Sequence, residues 1–195
     1  PSSSLHCFDL SFPERRENQQ YFYSRSTARL LIDAVLDFFH HDHERVEREF
    51  ACVCAPSIAE ILYREYSISV HLFDIDTRFS FLPLFTPFDL LSPPPPSSSP
   101  FSLIVFDPPY FGVPISTMRT SLSLLSSSNT RYLIGFLRRD EHLLLNEWPG
   151  LSLTNTQLEY DRVRESRWPN YGLYSNCDLH GIRRVKDKKK EHKKK

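Results

Sequence analysis

Apolar residues recur at helical spacing over 27–39, where Leu30, Leu31, Ala34, Val35 and Phe38 share one stripe, and Ser24 or Ser26 is placed to cap the start. A charged stretch then opens with His40-His41-Asp42-His43 and runs to Glu49. Adjacent histidines point different ways, so it reads as an exposed connection rather than a metal site. Beyond it the pattern changes to short continuous apolar runs, the mark of strands buried on both faces. They predict strands over 50–55 and 68–73, a weaker one over 85–88, then strands over 103–106 and 132–137. Helical patterns separate them at 58–66, 115–125 and 140–148, and late strands are predicted over 151–160 and 171–176. Strands alternating with helices imply an α/β fold, a mostly parallel, doubly wound sheet with helices on both faces.

Composition narrows this to one domain. A chain of 195 residues that is 40% hydrophobic buries one good core. The expected division is an irregular arm over 1–17, the folded domain over 18–182 and a basic tail over 183–195, with the proline- and serine-rich stretch 93–100 as a surface loop. The chain starts at Pro1 and its single methionine is Met118, so the natural amino terminus is expected upstream. No apolar run reaches bilayer length and no signal peptide is visible, which favours a cytoplasmic protein without a membrane partner. A monomer is expected.

Charge is unevenly spread. Every lysine lies in Lys186 to Lys195, where seven lysines face only Asp187 and Glu191, giving +5. The other 185 residues carry 17 arginines against 22 acids, giving −5. The tail reads as a solvated, disordered end, with contact to RNA as the functional alternative. The body has no basic surplus, which argues against a dedicated nucleic-acid binder. Cys7, Cys52, Cys54 and Cys177 form no metal-ligand spacing, and Cys52 and Cys54 alternate along a strand, which places them on one side as small core residues. A reducing compartment fits, and no metal is expected.

The chemistry concentrates at strand ends. Leu103-Ile104-Val105-Phe106 runs into Asp107-Pro108-Pro109-Tyr110. Neither proline can donate to a ladder, so the strand stops there and leaves an acid and a ring on a stiff turn. Open α/β sheets bind ligands at this edge. Asp74 or Asp76 ends the second strand and Asp89 the third, so three acids lie in register. The first is suited to ribose hydroxyls, the next to an adenine amine, and Asp107 to the reacting group. No glycine precedes Gly112, so the first strand lacks a glycine-rich phosphate turn. Ala55-Pro56-Ser57 stands in its place, opening a helix whose first N–H groups are free.

Asp107 to Tyr110 resembles the Asp-Pro-Pro-Tyr/Phe motif of amino-methyltransferases that use S-adenosylmethionine. More of the chain is similar to the elongation factor 1A lysine methyltransferases, a family first labelled adenine-specific DNA methyltransferases. Gln20-Tyr21-Phe22-Tyr23-Ser24 resembles its Gln-Phe-Trp-Tyr-Ser arm, Ala55-Pro56-Ser57 its glycine-free first motif, and Phe73-Asp74-Ile75-Asp76-Thr77-Arg78-Phe79 its acid-x-Asp-Lys-Arg-Phe segment. Tyr174-Ser175-Asn176 is similar to its Tyr-Ser/Val-Asn strand, although Leu173-Tyr174 stands where an Arg-Cys-Tyr run is usual. The resemblance covers about 155 residues and implies a single Rossmann-like class I methyltransferase domain. It implies Asp107, Pro108, Pro109 and Tyr110 as catalytic, and Tyr23, Ser24, Ala55, Pro56, Ser57, Asp74, Asp76 and Asp89 as contacts to S-adenosylmethionine. The implied partner is elongation factor 1A as protein substrate. A related branch that methylates adenine in ribosomal RNA has similar Asp-Pro-Pro-Phe, Gln-Tyr-Phe-Tyr and Asp-Ile-Asp spellings and makes RNA the alternative. A non-catalytic module that lost the cofactor through its glycine-free turn is the third reading.

Overall fold

The computed structural model describes residues 10–95 and 100–185. Cys7, four residues of the 93–100 loop and the tail from Lys186 onward lie outside the described residues, so the expectations placed on them do too.

Seven strands form one sheet: β1 (Phe50–Val53), β2 (His71–Asp74), β3 (Phe85–Pro87), β4 (Leu103–Phe106), β5 (Arg131–Leu137), β6 (Ser152–Leu153) and β7 (Tyr171–Ser175). Their order is β3-β2-β1-β4-β5-β7-β6. The first five pair in parallel, and β7 runs antiparallel to both β5 and β6. Helices α1 (Arg25–Phe38), α2 (His43–Glu49) and α3 (Pro56–Tyr66) accompany one face, and α4 (Ile115–Ser123) and α5 (Glu141–Glu147) the other. Each face has its own core. Leu31, Ile32, Val35, Ile58 and Leu62 pack with Leu103, Val105 and Leu133 on one side. Met118, Leu122 and Leu144 pack with Ile104, Phe106 and Ile134 on the other. Successive strand residues feed opposite cores, which is why these strands are apolar without alternation.

The predicted alternation of strands and helices is borne out, and so is a cap by Ser24, whose hydroxyl accepts from the Thr27 N–H at 3.3 Å. Three expectations are corrected. The stretch after His40 is a helix, α2, capped by Asp42 accepting from Arg45 N–H at 3.1 Å. Arg45 and Glu49 pair one turn apart at 3.1 Å, and Val46 is its only buried residue, so charge hid a one-residue apolar face. The strand expected over 151–160 is only Ser152–Leu153; after the Thr154 N–H bonds the Leu173 carbonyl at 2.8 Å, the chain leaves β7. Cys52 and Cys54 do not share a side. Cys52 is in the α1/α3 core, while Cys54 has φ 52° and packs against the other core. The period of two holds only for extended backbone, and Cys54 is left-handed.

Among the described residues no helix is long and apolar enough to cross a membrane, and no group of His, Cys, Asp and Glu is arranged to hold a metal ion.

Candidate active site

Strand register builds the site. Val53 pairs with Phe73 of β2 on one side and Phe106 of β4 on the other. The next residues, Cys54, Asp74 and Asp107, therefore stand side by side at the carboxyl edge. Two backbone bonds hold the row, Cys54 N–H to the Phe73 carbonyl at 2.9 Å and Asp107 N–H to the Val53 carbonyl at 3.1 Å. Cys54 takes the left-handed turn that glycine ordinarily fills, which brings it to the floor of the edge.

A cleft of about 240 Å³ opens over this row. Asp74, Asp89 and Asp107 line it together with Pro108, Pro109 and Tyr110, so six of the residues expected at the site are brought together. The arm closes one flank with Glu17 to Tyr21. Gln19 latches it there: its amide donates to the Phe111 carbonyl and accepts from the Phe111 N–H, both at 2.7 Å.

Asp107 is buried, and its Oδ1 accepts from the hydroxyls of Tyr110 and Tyr160, each at 3.0 Å. Those two hydroxyl oxygens are 2.5 Å apart. The buried Tyr23 ring stacks on Tyr160 with centroids 5.1 Å apart. Tyr21, Tyr110, Tyr160 and Tyr171 complete an aromatic cluster around the carboxylate. Burial pushes the Asp107 carboxyl up to about 7 against the opposing pull of the tyrosine hydroxyls. Burial and the Asp107 charge hold Tyr110 and Tyr160 well above the usual phenol range, so both remain donors. Burial, then the charges of Asp74 and Asp107, raise the Cys54 thiol, which removes it as a nucleophile.

The two acids after β2 separate. Asp74 is buried, lines the cleft and accepts the Asp76 N–H at 2.8 Å; burial raises it to about 7. Asp76 is not among the lining residues. Arg78 grips it from Nε at 2.9 and 3.0 Å and from Nη2 at 2.6 Å, Arg15 approaches to 3.5 Å and Gln20 donates at 3.3 Å. Burial pushes Asp76 up, but the Arg78 bonds outweigh it and hold the carboxyl low. Asp76 thus anchors the arm. Ser24 caps α1 and bonds Glu159, and Ala55, Pro56 and Ser57 are buried at the start of α3, outside the lining. Phe22 packs against Phe79 with centroids 6.3 Å apart in the α1/α3 core.

Residues 14–179 match the model of a family described as probable N6-adenine methyltransferase. The chain belongs to that family. Among solved structures, this methyltransferase is similar to PH1948 of Pyrococcus horikoshii, provisionally an RNA methyltransferase, at 13% identity and TM-score 0.51, over 95% of this chain and 93% of that one. The magnesium protoporphyrin IX methyltransferase of Synechocystis matches at 14% identity and TM-score 0.48, over 76% and 79%. The ribosomal protein L11 methylase of Lactobacillus delbrueckii matches at 13% and 0.44, over 85% and 82%. No curated protein matches.

A methyltransferase of this family and fold takes S-adenosylmethionine as cofactor, and the residues present fit it. A cationic sulfonium nucleoside needs hydroxyl acceptors, an apolar wall for its base and no competing cation. Asp74 is positioned in the lining to offer the first, and Phe88 with Leu90 the second; no Lys, Arg or His occurs among the described lining residues.

Sequence reasoning missed Tyr160 and Gly135. Tyr160 lies in a segment predicted as strand, and nothing near it in the chain marks it. Gly135 of β5 sits opposite Asp107, where a Cβ would meet its Oδ1 at 2.8 Å and the Tyr23 hydroxyl at 2.9 Å. A lone glycine inside a predicted strand was the available signal, since it marks close approach.

Proposed function

We propose that this methyltransferase transfers a methyl group to the side-chain amine of a lysine in a protein substrate, with elongation factor 1A as the substrate that the family resemblance suggests. One observation carries the preference for lysine: the charged residues lining the cleft are Glu17, Asp74, Asp89 and Asp107, all acids. Such a cleft attracts an ammonium group and repels a phosphate backbone. Tyr21, Tyr110 and Phe111 add ring faces that favour a cation.

When bound, S-adenosylmethionine supplies an electrophilic methyl group on a sulfonium. Asp74 would accept hydrogen bonds from its ribose, and Asp89 with Phe88 would hold its base. Asp107 and the Pro108 carbonyl accept the amine hydrogens, which aims the nitrogen lone pair and favours loss of the ammonium proton. The carboxyl near 7 suits it to hold that proton at neutral pH. The prolines keep this turn from relaxing.

Adenine in RNA is the second reading. The family description favours it, as do the Tyr21 and Tyr110 rings, 24° from parallel with centroids 6.3 Å apart, which offer a flat base a wall. Incubation with radiolabelled S-adenosylmethionine and either elongation factor 1A or ribosomal RNA decides between them. Label is expected on a lysine of the protein; label confined to RNA overturns the lysine reading. Asp74→Ala is expected to weaken cofactor binding about 10- to 100-fold in titration calorimetry, the worth of charge-assisted hydrogen bonds. Unchanged affinity removes Asp74 from the ribose role. Absence of any cofactor-induced thermal shift in the wild type supports the non-catalytic reading.

A further inference from the structure

We infer that Tyr160 is a positioning residue for methyl transfer, its hydroxyl fixing Oδ1 of Asp107 so that Oδ2 is the carboxylate oxygen presented to the acceptor amine. The inference rests on the methyltransferase reading of the cleft but on neither choice of acceptor.

A carboxylate on a strand end is free to spin about its terminal torsion, and an amine acceptor then meets either oxygen in varying directions. Here three elements remove that freedom. Tyr110, on the turn after β4, donates to Oδ1 at 3.0 Å. Tyr160 donates to the same oxygen at 3.0 Å from a segment 53 residues further along. Gly135 on neighbouring β5 leaves the space that Oδ1 occupies. The two phenols have two protons for three contacts, two to Oδ1 and one between their own hydroxyls, so Oδ1 takes at least one proton of this pair. Among the described residues no side chain donates to Oδ2, which is left for a ligand. Tyr160 itself is fully buried and is held from both sides, by Tyr23 at 5.1 Å and Tyr171 at 4.8 Å between centroids, so its hydroxyl oxygen is fixed beside Oδ1.

Strand pairing explains why Tyr160 reaches the site. The segment after β6 abandons β7 and makes an isolated antiparallel bridge with Tyr23 of the arm, sealed by Ser24 N–H to the Glu159 carbonyl at 2.8 Å and Asp161 N–H to the Phe22 carbonyl at 2.9 Å. That bridge carries Tyr160 over the carboxyl edge of β4.

A donor to a carboxylate stabilises its ionised form. The titratable groups that face Asp107 are Tyr110 on its own turn, Tyr23 on the arm, Tyr160 after β6, Tyr171 on β7 and Cys54 after β1. The phenols and the thiol stay neutral near pH 7. Asp74, two strands away on the same edge, also titrates near 7 but is the same in wild type and variant, so a difference in Asp107 titration between the two reports the deleted donor.

The test is carbon-13 NMR titration of the Asp107 carboxyl in the full chain, wild type against Tyr160→Phe, which deletes one oxygen and keeps the ring. The midpoint is expected to rise by about one pH unit. The low-pH limb of the transfer rate is expected to move with it, cutting activity at pH 7 about fivefold whichever acceptor carries label. An unshifted or lowered midpoint overturns the inference. If the variant does not fold, the wild type decides: the Tyr160 ring carbon bearing the hydroxyl should shift in step with Asp107 between pH 6 and 8, and independence of the two overturns it. The titration uses no acceptor, so it stands apart from failure of the lysine reading, which shows as label on RNA.

Discussion

Asp107→Asn is expected to lower methyl transfer by about 10²- to 10⁴-fold while S-adenosylmethionine binding persists. The substitution keeps an oxygen that can accept from Tyr110 and Tyr160 but removes the negative charge that orients and deprotonates an ammonium. A variant that retains wild-type turnover would remove Asp107 from the reaction. The same substitution has an opposite effect on stability. Burial raises the folded carboxyl to about 7 from an ordinary value near 3.8, so the folded state prefers the protonated form. The contribution of this group is therefore full below about pH 4 and is lost as pH rises through about 7. At pH 8 the wild type carries a buried carboxylate that opposes folding, and the asparagine does not. One pKa unit is worth about 1.4 kcal/mol, and 1 kcal/mol is about 2–4 °C in Tm for a chain of this size. The variant should thus melt at least about 3 °C higher at pH 8, with the gain vanishing toward pH 4. Calorimetric scans across that range check it, and a gain independent of pH contradicts the burial argument.

Gly135→Ala is expected to damage activity and stability together. The added Cβ stands 2.8 Å from Asp107 Oδ1, 2.9 Å from the Tyr23 hydroxyl and 3.3 Å from Leu158 Cδ1. None can yield easily: Oδ1 is held by two tyrosines, and Tyr23 and Leu158 are buried. Overpacking of this kind costs about 1–3 kcal/mol, so Tm should fall by several degrees. Because the atom displaced is the carboxylate oxygen, transfer should fall by one to two orders of magnitude, as about 1 Å of misplacement costs in a positioned site. Gly150→Ala is the control, with no atom within 4 Å of its Cβ, and should be neutral. Normal activity in Gly135→Ala would show that Asp107 tolerates a second orientation and would weaken the role drawn for Tyr160.

The two predictions share a cause. Asp107 is supported by residues from its own turn, β5 and the segment after β6, all converging on one oxygen. The acidic lining bears on ligand choice in the same way: it disfavours a phosphate backbone at the mouth and favours a cationic cofactor within. Asp76 shows that an acid in the right motif can serve another purpose. Its charge is spent on Arg78 and Arg15, which tie the arm to the end of β2 and so keep Gln19 and Tyr21 at the cleft.

What the chain determines locally was legible. The apolar run 103–106 ends where two prolines forbid a ladder, so β4 and the Asp107 turn followed from backbone chemistry alone, as did the order of strands and helices from hydrophobic period. Asp74, Asp89, Asp107 and Tyr110 meet at the cleft because each ends or follows a strand. The rest depended on contacts between distant segments. Cys54 changes faces because its left-handed turn breaks the period of two, and α2 was hidden by charges whose one buried partner is Val46. Gly135 and Tyr160 lie 28 and 53 residues from Asp107, and only the pairing of β4 with β5 and the bridge to Tyr23 bring them to it. A strand end can be read from residue order; the groups that hold its carboxylate still come from wherever the folded chain returns.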